Sequence, residues 1–217
     1  LSSVRSLEGT WVSGYPTLNA IGIAEDGTKA LLYHETYSAE APGFKSQNEL
    51  LKAAMRRIVT ELRRQGVGQL CFVLDRGFDD ATLMRFIDQD LTCQYVIRAH
   101  HLDRRVTGEH HKPQALKDKL ASCEVKTTLD MKRPMVGEDG KVRYRKRKTQ
   151  VRASSIESAD YLLRTNVLGL TFKGKDKPSN NDDGWVLLTN LPIDDPEFLK
   201  HIIALYLGRW SIEDVFA

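Results

Sequence analysis

Residues 70–78, Leu-Cys-Phe-Val-Leu-Asp-Arg-Gly-Phe, decide the fold class of this chain. Five apolar residues in the six positions up to Asp75 predict a short strand buried on both faces, as in a partly parallel sheet. Asp75 ends this strand, and Arg76-Gly77 turn the chain at once. Because ligands bind at the carboxyl ends of strands in open α/β sheets, Asp75 is a candidate site residue. The alternative is that Asp75 only starts a turn or caps the next helix.

The composition is that of a globular protein. The chain has 217 residues, 41% of them hydrophobic, which suffices for one domain or for a domain carrying an insertion. A net charge of +3 does not by itself indicate a nucleic-acid partner. No apolar run approaches the roughly 18 residues of a membrane helix, and we expect no membrane partner. Three cysteines without a Cys-x-x-Cys pair suit a reducing cytoplasm.

Strands and helices alternate along the first part of the chain. A strand at 14–24, a turn at Asp26 and a second strand at 30–37 predict a β-hairpin, in which Asp26 is expected to be a turn residue. A helix over 46–66 begins with a capping box and ends at a glycine. After the Asp75 strand, a helix over 79–89 and a strand at 94–98 follow.

The region from about residue 101 to 184 has a different composition. Residues 126–152 are strongly basic, and clustered Arg and Lys on one ribbon can hold DNA phosphates, although a solvated hairpin is the alternative. The basic residues proposed to contact DNA are Arg143, Arg145, Arg147 and Lys148. Histidine pairs at 100–101 and 110–111 lack the ligand spacing of a zinc site, so we expect no metal there. We therefore predict a basic, mostly β insertion at 101–184 between two core parts, 1–100 and 185–217.

The last part of the chain predicts a strand at 185–189 and a helix capped by Asp195. Tyr206, Arg209 and Glu213 follow at separations of three and four residues, which places them on one face of that helix. Such a polar column on a core-facing helix indicates a site. The alternative is an intrahelical Arg209–Glu213 pair, which contributes a few tenths of a kcal/mol.

Asp75-Arg76-Gly77-Phe78 after a buried strand, together with the Tyr206, Arg209 and Glu213 spacing, resembles a known family. The chain is similar to the DDE transposases of bacterial insertion sequences, specifically the insertion-sequence-four group with its Tyr-Arg-Glu-Lys signature. The resemblance covers nearly the whole chain. It implies an α/β, RNase H-like mixed sheet with a mostly β insertion before the last catalytic helix.

The resemblance also implies a chemistry for these residues. Asp75 matches the second catalytic acid and Glu213 the third, and the family's acids hold two Mg²⁺ or Mn²⁺ ions that activate water or a DNA 3′-hydroxyl. Tyr206 and Arg209 match residues that grip the DNA near the cleaved end. Trp185 and Trp210 match aromatic residues that handle a flipped base in hairpin-forming relatives, and core packing is their alternative role.

Two parts of the family pattern are expected outside the chain. No Asp precedes Asp26, so the first acid should lie upstream of Leu1, and the signature Lys should fall beyond Ala217. We therefore expect a fragment of a longer protein that binds DNA but does not cut it alone.

The expected function is that of a cut-and-paste DNA transposase. Its expected partners are double-stranded DNA at transposon terminal inverted repeats, target DNA, and a second copy of the protein in a homodimeric complex. The expected location is the bacterial cytoplasm, at the nucleoid when bound to DNA. The alternatives are an RNase H-like nuclease or resolvase, and a non-catalytic DNA-binding protein derived from a transposase.

Overall fold

The computed structural model describes residues 2–5, 10–107, 112–136, 142–158, 163–172 and 184–209. These residues form a mixed α/β fold, which confirms the predicted class. The chain divides into two compact units, residues 1–70 and 71–217. Within the described ranges, no helix has the length and apolar character needed to cross a membrane.

The described strands and helices have the following bounds. The strands are β1 Ser2–Arg5, β2 Trp11–Gly14, β3 Thr17–Ile23, β4 Lys29–Thr36, β5 Cys71–Leu74, β6 Gln94–Arg98, β7 Arg105–Thr107, β8 Gln114–Ala115, β9 Val125–Val136, β10 Val142–Ser158, β11 Leu163–Phe172 and β12 Gly184–Thr189. The α-helices are α1 Gln47–Arg64, α2 Ala81–Arg85, α3 Leu116–Ser122 and α4 Pro196–Gly208. A 3₁₀ turn covers Arg76–Phe78, and a π-helical turn, Phe86–Asp90, continues α2.

The first unit contains the predicted hairpin. β3 and β4 pair antiparallel, and the turn between them uses Gly27 at a φ of 83°. The Asp26 carboxylate accepts the backbone N–H of Thr28 at 2.8 Å, which also holds the pKa of Asp26 below its ordinary value. Asp26 is thus a turn residue, as its Asp-Gly context predicts.

Helix α1 completes the first unit. The Ser46 hydroxyl accepts the backbone N–H of Glu49 at 3.2 Å, which satisfies one of the free donors at the helix start. The chain leaves the helix through Gly66, whose φ of 87° is accessible to glycine without steric cost. The helix buries an apolar stripe with helical spacing: Leu51, Ala54, Met55, Ile58 and Val59.

A mixed sheet forms the second unit, in the described order β5-β6-β12-β11-β10-β7-β8, with β9 also paired to β10. β5 and β6 are parallel, and the remaining pairs are antiparallel. Among the described strands β5 has a neighbour on one side only. Its residues are half-buried, so the prediction that this strand is buried on both faces is wrong.

The strands of the predicted insertion belong to this same sheet. β11 of the insertion pairs with β12, and β12 pairs in turn with β6, so the insertion continues the sheet that the two core parts form. The insertion also contains α3, which the sequence pattern did not predict. The sequence of the insertion also predicts a turn at 137–140 and a loop at 172–184, and that turn and most of that loop lie outside the described residues.

One buried cluster of the second unit lies on the face of the sheet where α4 packs. It unites buried residues of β6, β9, β10, β11, β12 and α4, with Leu168, Leu187, Ile202 and Tyr206 all 0% exposed. On the opposite face α3 approaches β11 at Gly169, where a Cβ atom would lie 3.1 Å from the Leu120 side chain. A side chain at position 169 would therefore force Leu120 of α3 to shift by a few tenths of an ångström.

A buried polar network joins β6, β11 and β12. The hydroxyls of Tyr95 and Thr165 lie 2.8 Å apart, and the Thr189 hydroxyl donates to the Tyr95 carbonyl at 2.6 Å. Burial raises the pKa of Tyr95 to about 12. These bonds fix the relative positions of three strands.

Candidate functional site

Asp75 stands where the sequence predicts, directly after β5. The parallel pairing of Leu74 with Ile97 brings the carboxyl ends of β5 and β6 to the same edge of the sheet. Asp75 also begins the Arg76–Phe78 turn, because its Oδ1 accepts the backbone N–H of Arg76 at 2.7 Å. Its side chain remains 43% exposed, so capping the turn leaves carboxylate surface available for another contact.

Helix α4 carries Tyr206 and Arg209 to Asp75. The Asp195 carboxylate caps the helix by accepting the backbone N–H of Glu197 at 2.8 Å. Leu199, Ile202 and Ile203 are buried against the sheet and fix the rotation of the helix about its axis. Tyr206 lies in the last turn and is fully buried, and Arg209 follows the last helical residue.

The structure brings three of the predicted site residues together. The Tyr206 hydroxyl donates to Asp75 Oδ1 at 3.5 Å across a sequence separation of 131 residues. Arg209 Nη1 lies 3.9 Å from Asp75 Oδ2, and the Arg209 guanidinium lies 5.6 Å from the centroid of the Tyr206 ring. An acid from a strand end and two helix residues thus form one cluster.

Trp185, at the start of β12, extends this cluster. Its ring meets the Tyr206 ring edge to face, with centroids 5.5 Å apart and an interplanar angle of 65°. Trp185 is half-buried and packs against the core. Packing is therefore one role of Trp185, and its exposed part leaves ring surface next to the Asp75 cluster.

The pKa of the Tyr206 hydroxyl is raised above its ordinary value. Burial is the main cause that raises its pKa, and the Asp75 charge adds to it, whereas Arg209 and Arg98 oppose the rise. Sequence reasoning missed Arg98, the last residue of β6. The available signal was an arginine at the end of a strand expected to lie near the Asp75 strand.

The Asp75–Arg209 pair is loose. Its separation is 3.9 Å, and Asp75 is 43% exposed while Arg209 is 17% exposed. This separation is close to the 4 Å limit for an ion pair, so the contact orients Arg209 less strictly than a hydrogen-bonded pair would.

The structure describes only some of the other predicted site residues. Glu213 and Trp210 lie outside the described residues. We call Arg143, Arg145 and Arg147 the β10 arginines. The backbone of the first two is described in β10, and Arg147 is half-buried with its guanidinium 5.8 Å from the Phe172 ring centroid. Lys148 is exposed and is paired in register with Asp130 of β9.

Potential metal ligands are sparse in the described part of the chain. There, no three His, Cys, Asp or Glu side chains are grouped closely enough to hold an ion. The rings of His100 and His101 pack edge to face with centroids 4.7 Å apart. Asp75 supplies hard carboxylate oxygens of the kind that Mg²⁺ binds, but it needs ligands from outside the described residues to complete a site.

Two comparisons with known proteins, one with family models and one with curated sequences, test whether this chain has known relatives. No protein-family model matches it, and no curated protein gives a significant match. The resemblance to DDE transposases therefore rests on the motifs around Asp75 and Tyr206 and on the order of the elements that carry them.

Proposed function

We propose that this chain belongs to the catalytic core of a DDE transposase that cleaves and joins DNA at transposon ends. The observation that carries the proposal is the contact of Asp75 with Tyr206 and Arg209. The resemblance to DDE transposases assigns these three residues to one site, and the helical spacing groups Tyr206 with Arg209. The contact joins a half-exposed acid at a strand end to a fully buried helix residue 131 positions later in the sequence.

An RNase H-like fold is part of this proposal. In support, the parallel β5–β6 pair ends next to an acid, and α4 packs across the sheet and delivers its last turn to that acid. The placement agrees with the rule that ligands bind at the carboxyl ends of strands in α/β sheets.

The proposed reaction is an in-line displacement at a DNA phosphodiester. The oxygen of water or of a DNA 3′-hydroxyl forms a bond to phosphorus, the existing P–O3′ bond breaks, and the leaving oxygen receives a proton. Bound divalent ions supply stabilisation of the attacking and leaving oxygens. Asp75 would contribute ligand oxygens to these ions, together with Glu213.

Arg209, Arg98 and Tyr206 have the chemistry to orient the phosphate. A planar guanidinium matches phosphate oxygens, and the protonated Tyr206 hydroxyl is a donor. Because the Asp75–Arg209 pair is loose, an incoming phosphate can take Arg209 and leave the Asp75 oxygens free for a cation. The free protein would then hold its acid partly neutralised until DNA arrives.

The proposed partners are double-stranded DNA at terminal inverted repeats, target DNA and a second copy of the protein, in the bacterial cytoplasm. The β10 arginines and the exposed Lys146 and Lys148 supply positive charge for phosphate contacts. A second candidate is a DNA-binding protein without catalysis. Arg98 and Arg209, which both act on the Tyr206 hydroxyl, favour this second candidate. Their guanidinium groups can bind a DNA phosphate whether or not a metal ion is bound.

The test is cleavage of labelled duplexes carrying the element's ends by the full-length protein in Mg²⁺. Asp75→Asn retains an acceptor for the Arg76 N–H but removes the charge, and it should abolish cleavage while leaving DNA binding intact. Asp26→Asn is the matched control, because Asp26 is an exposed turn residue, and it should cleave like the wild type. Binding without cleavage by the wild-type protein would favour the non-catalytic candidate, and cleavage without strand transfer would indicate a nuclease.

A further inference from the structure

Asp79 is a buried carboxylate four residues after Asp75. Its side chain is 1% exposed, and its Oδ2 accepts the backbone N–H groups of His100 at 2.7 Å and His101 at 3.1 Å. Its Oδ1 accepts Arg104 Nη2 at 2.7 Å, from a side chain that is 9% exposed. One carboxylate therefore gathers three donors from the segment that follows β6.

The position of Asp79 connects these contacts to Asp75. Asp79 comes directly after the Arg76–Phe78 turn, and its backbone N–H donates to the Arg76 carbonyl at 3.3 Å. Within the same turn, the Phe78 N–H donates to the Asp75 carbonyl at 3.0 Å. The Asp79 side chain thus ties the turn after β5 to the segment after β6.

Asp79 does not cap a helix. Its neighbour Asp80 does so, because Asp80 Oδ1 accepts the backbone N–H of Leu83 at 2.8 Å. Asp80 therefore caps the helix that follows it, whereas Asp79 joins the segments that follow β5 and β6.

The Asp79 contacts are stronger than those of Asp75. A buried carboxylate that accepts a guanidinium and two backbone N–H groups makes charge-assisted bonds, and removing it leaves Arg104 and two amides without their acceptor. By contrast, Asp75 is half-exposed and its ion pair is loose. We call the Asp79 carboxylate with its three donors, the His100 and His101 amides and the Arg104 guanidinium, the Asp79 clamp. The clamp is the most tightly bonded of the contacts described at this edge of the sheet.

We infer that Asp79 is a positioning residue that holds the Arg76–Phe78 turn, and with it the Asp75 carboxylate, against the end of β6. An effect of Asp79 on catalysis rests on the proposed function, in which Asp75 contacts metal ions. The effect of Asp79 on the position of the Arg76–Phe78 turn does not depend on any activity.

The first test is amide hydrogen exchange in the full-length protein. Asp79→Asn removes the charge and leaves one acceptor oxygen for three donors, so it should speed exchange at the His100, His101 and Phe78 amides by about 10- to 100-fold, the factor for removing the charge assistance from these bonds. Asp80→Asn is the matched control, because Asn also caps helices, and it should leave these amides unchanged. Unchanged exchange at Phe78 in Asp79→Asn would overturn the inference and make Asp79 an anchor of the 100–104 segment only.

Arg104→Gln provides a second, milder test in case Asp79→Asn does not fold. It removes one of the three donors and keeps the acid, so a smaller acceleration at the same amides is expected. If this variant leaves Phe78 exchange at the wild-type rate while Asp79→Asn is unfolded, the inference also fails.

The second test measures cleavage by the same variants. Asp79→Asn should lower the cleavage rate at saturating DNA and raise the Mg²⁺ concentration for half-maximal cleavage, while the Kd for DNA stays at the wild-type value. Normal cleavage despite accelerated Phe78 exchange would show that the clamp does not position Asp75. If the wild-type protein does not cleave but the exchange results are as expected, the proposed function fails and the clamp stands.

Discussion

Tyr206 belongs both to the core and to the candidate site. Two substitutions distinguish the contribution of its ring to stability from that of its hydroxyl. Tyr206→Ala removes a fully buried ring that packs against Trp185 and the core of the sheet, and such truncations cost about 3–5 kcal/mol. Tyr206→Phe keeps the ring and removes the hydroxyl, with its 3.5 Å bond to Asp75 and its interaction with Arg98. Because this bond is long, its loss should cost about 0.5 kcal/mol, the lower end for a hydrogen bond.

The assay for both variants is urea unfolding followed by far-UV circular dichroism. Tyr206→Ala should lower the midpoint several times more than Tyr206→Phe at an unchanged slope. Equal losses for the two variants would refute the assignment of stability to ring packing. A loss below about 1 kcal/mol for Tyr206→Ala would show that α4 does not pack on the sheet as described.

The pH dependence of stability gives an independent check on Tyr206. Folding raises the pKa of Tyr206, mainly through burial, so the neutral phenol is favoured in the folded state. The resulting stability is fully present below the ordinary pKa of 10 and is lost as the pH rises through the raised value. Tyr206→Phe should therefore lose less stability than the wild type above pH 10.

Three further predictions concern other parts of the chain. Gly169→Ala should destabilise by about 1–2 kcal/mol in urea unfolding, because its Cβ would crowd the buried Leu120, whereas Gly68→Ala, with open space around it, should not. Replacing the β10 arginines by glutamine should weaken DNA binding for all sequences and flatten its salt dependence by about 0.9 log unit per lost contact; an unchanged slope would indicate a solvated surface. Between pH 10 and 12 the wild type should lose about 2–3 kcal/mol more stability than Tyr95→Phe, because folding raises the pKa of Tyr95 to about 12; parallel losses would contradict its burial.

Local signals predicted most elements of the fold. The hairpin turn at Asp26, the cap at Ser46 and the cap at Asp195 are each made by neighbouring residues, so a short window of sequence contains the cause. The strands β5 and β12 were predictable from short apolar runs for the same reason. In these cases the interaction that forms the element spans only a few residues.

The features that sequence reasoning missed depend on distant residues. The half-burial of β5 follows from its place at the edge of the described sheet, and α3 depends on a close approach at Gly169. The Asp79 clamp joins groups at least 21 residues apart in sequence. The residues next to Asp79 in the sequence contain no pattern that predicts these contacts. The helical spacing did place Tyr206 and Arg209 together, but only the folded chain shows that Asp75 is their partner.

The central claim is that Asp75 belongs to a metal-binding site completed by Glu213. The most direct measurement is a crystal structure of the full-length protein with Mn²⁺, in which anomalous scattering locates the ion. The account predicts an ion bonded to both carboxylates at the distances of a hard cation, about 2.1 Å. Carboxylates more than about 10 Å apart, or an ion that does not touch Asp75, would contradict it.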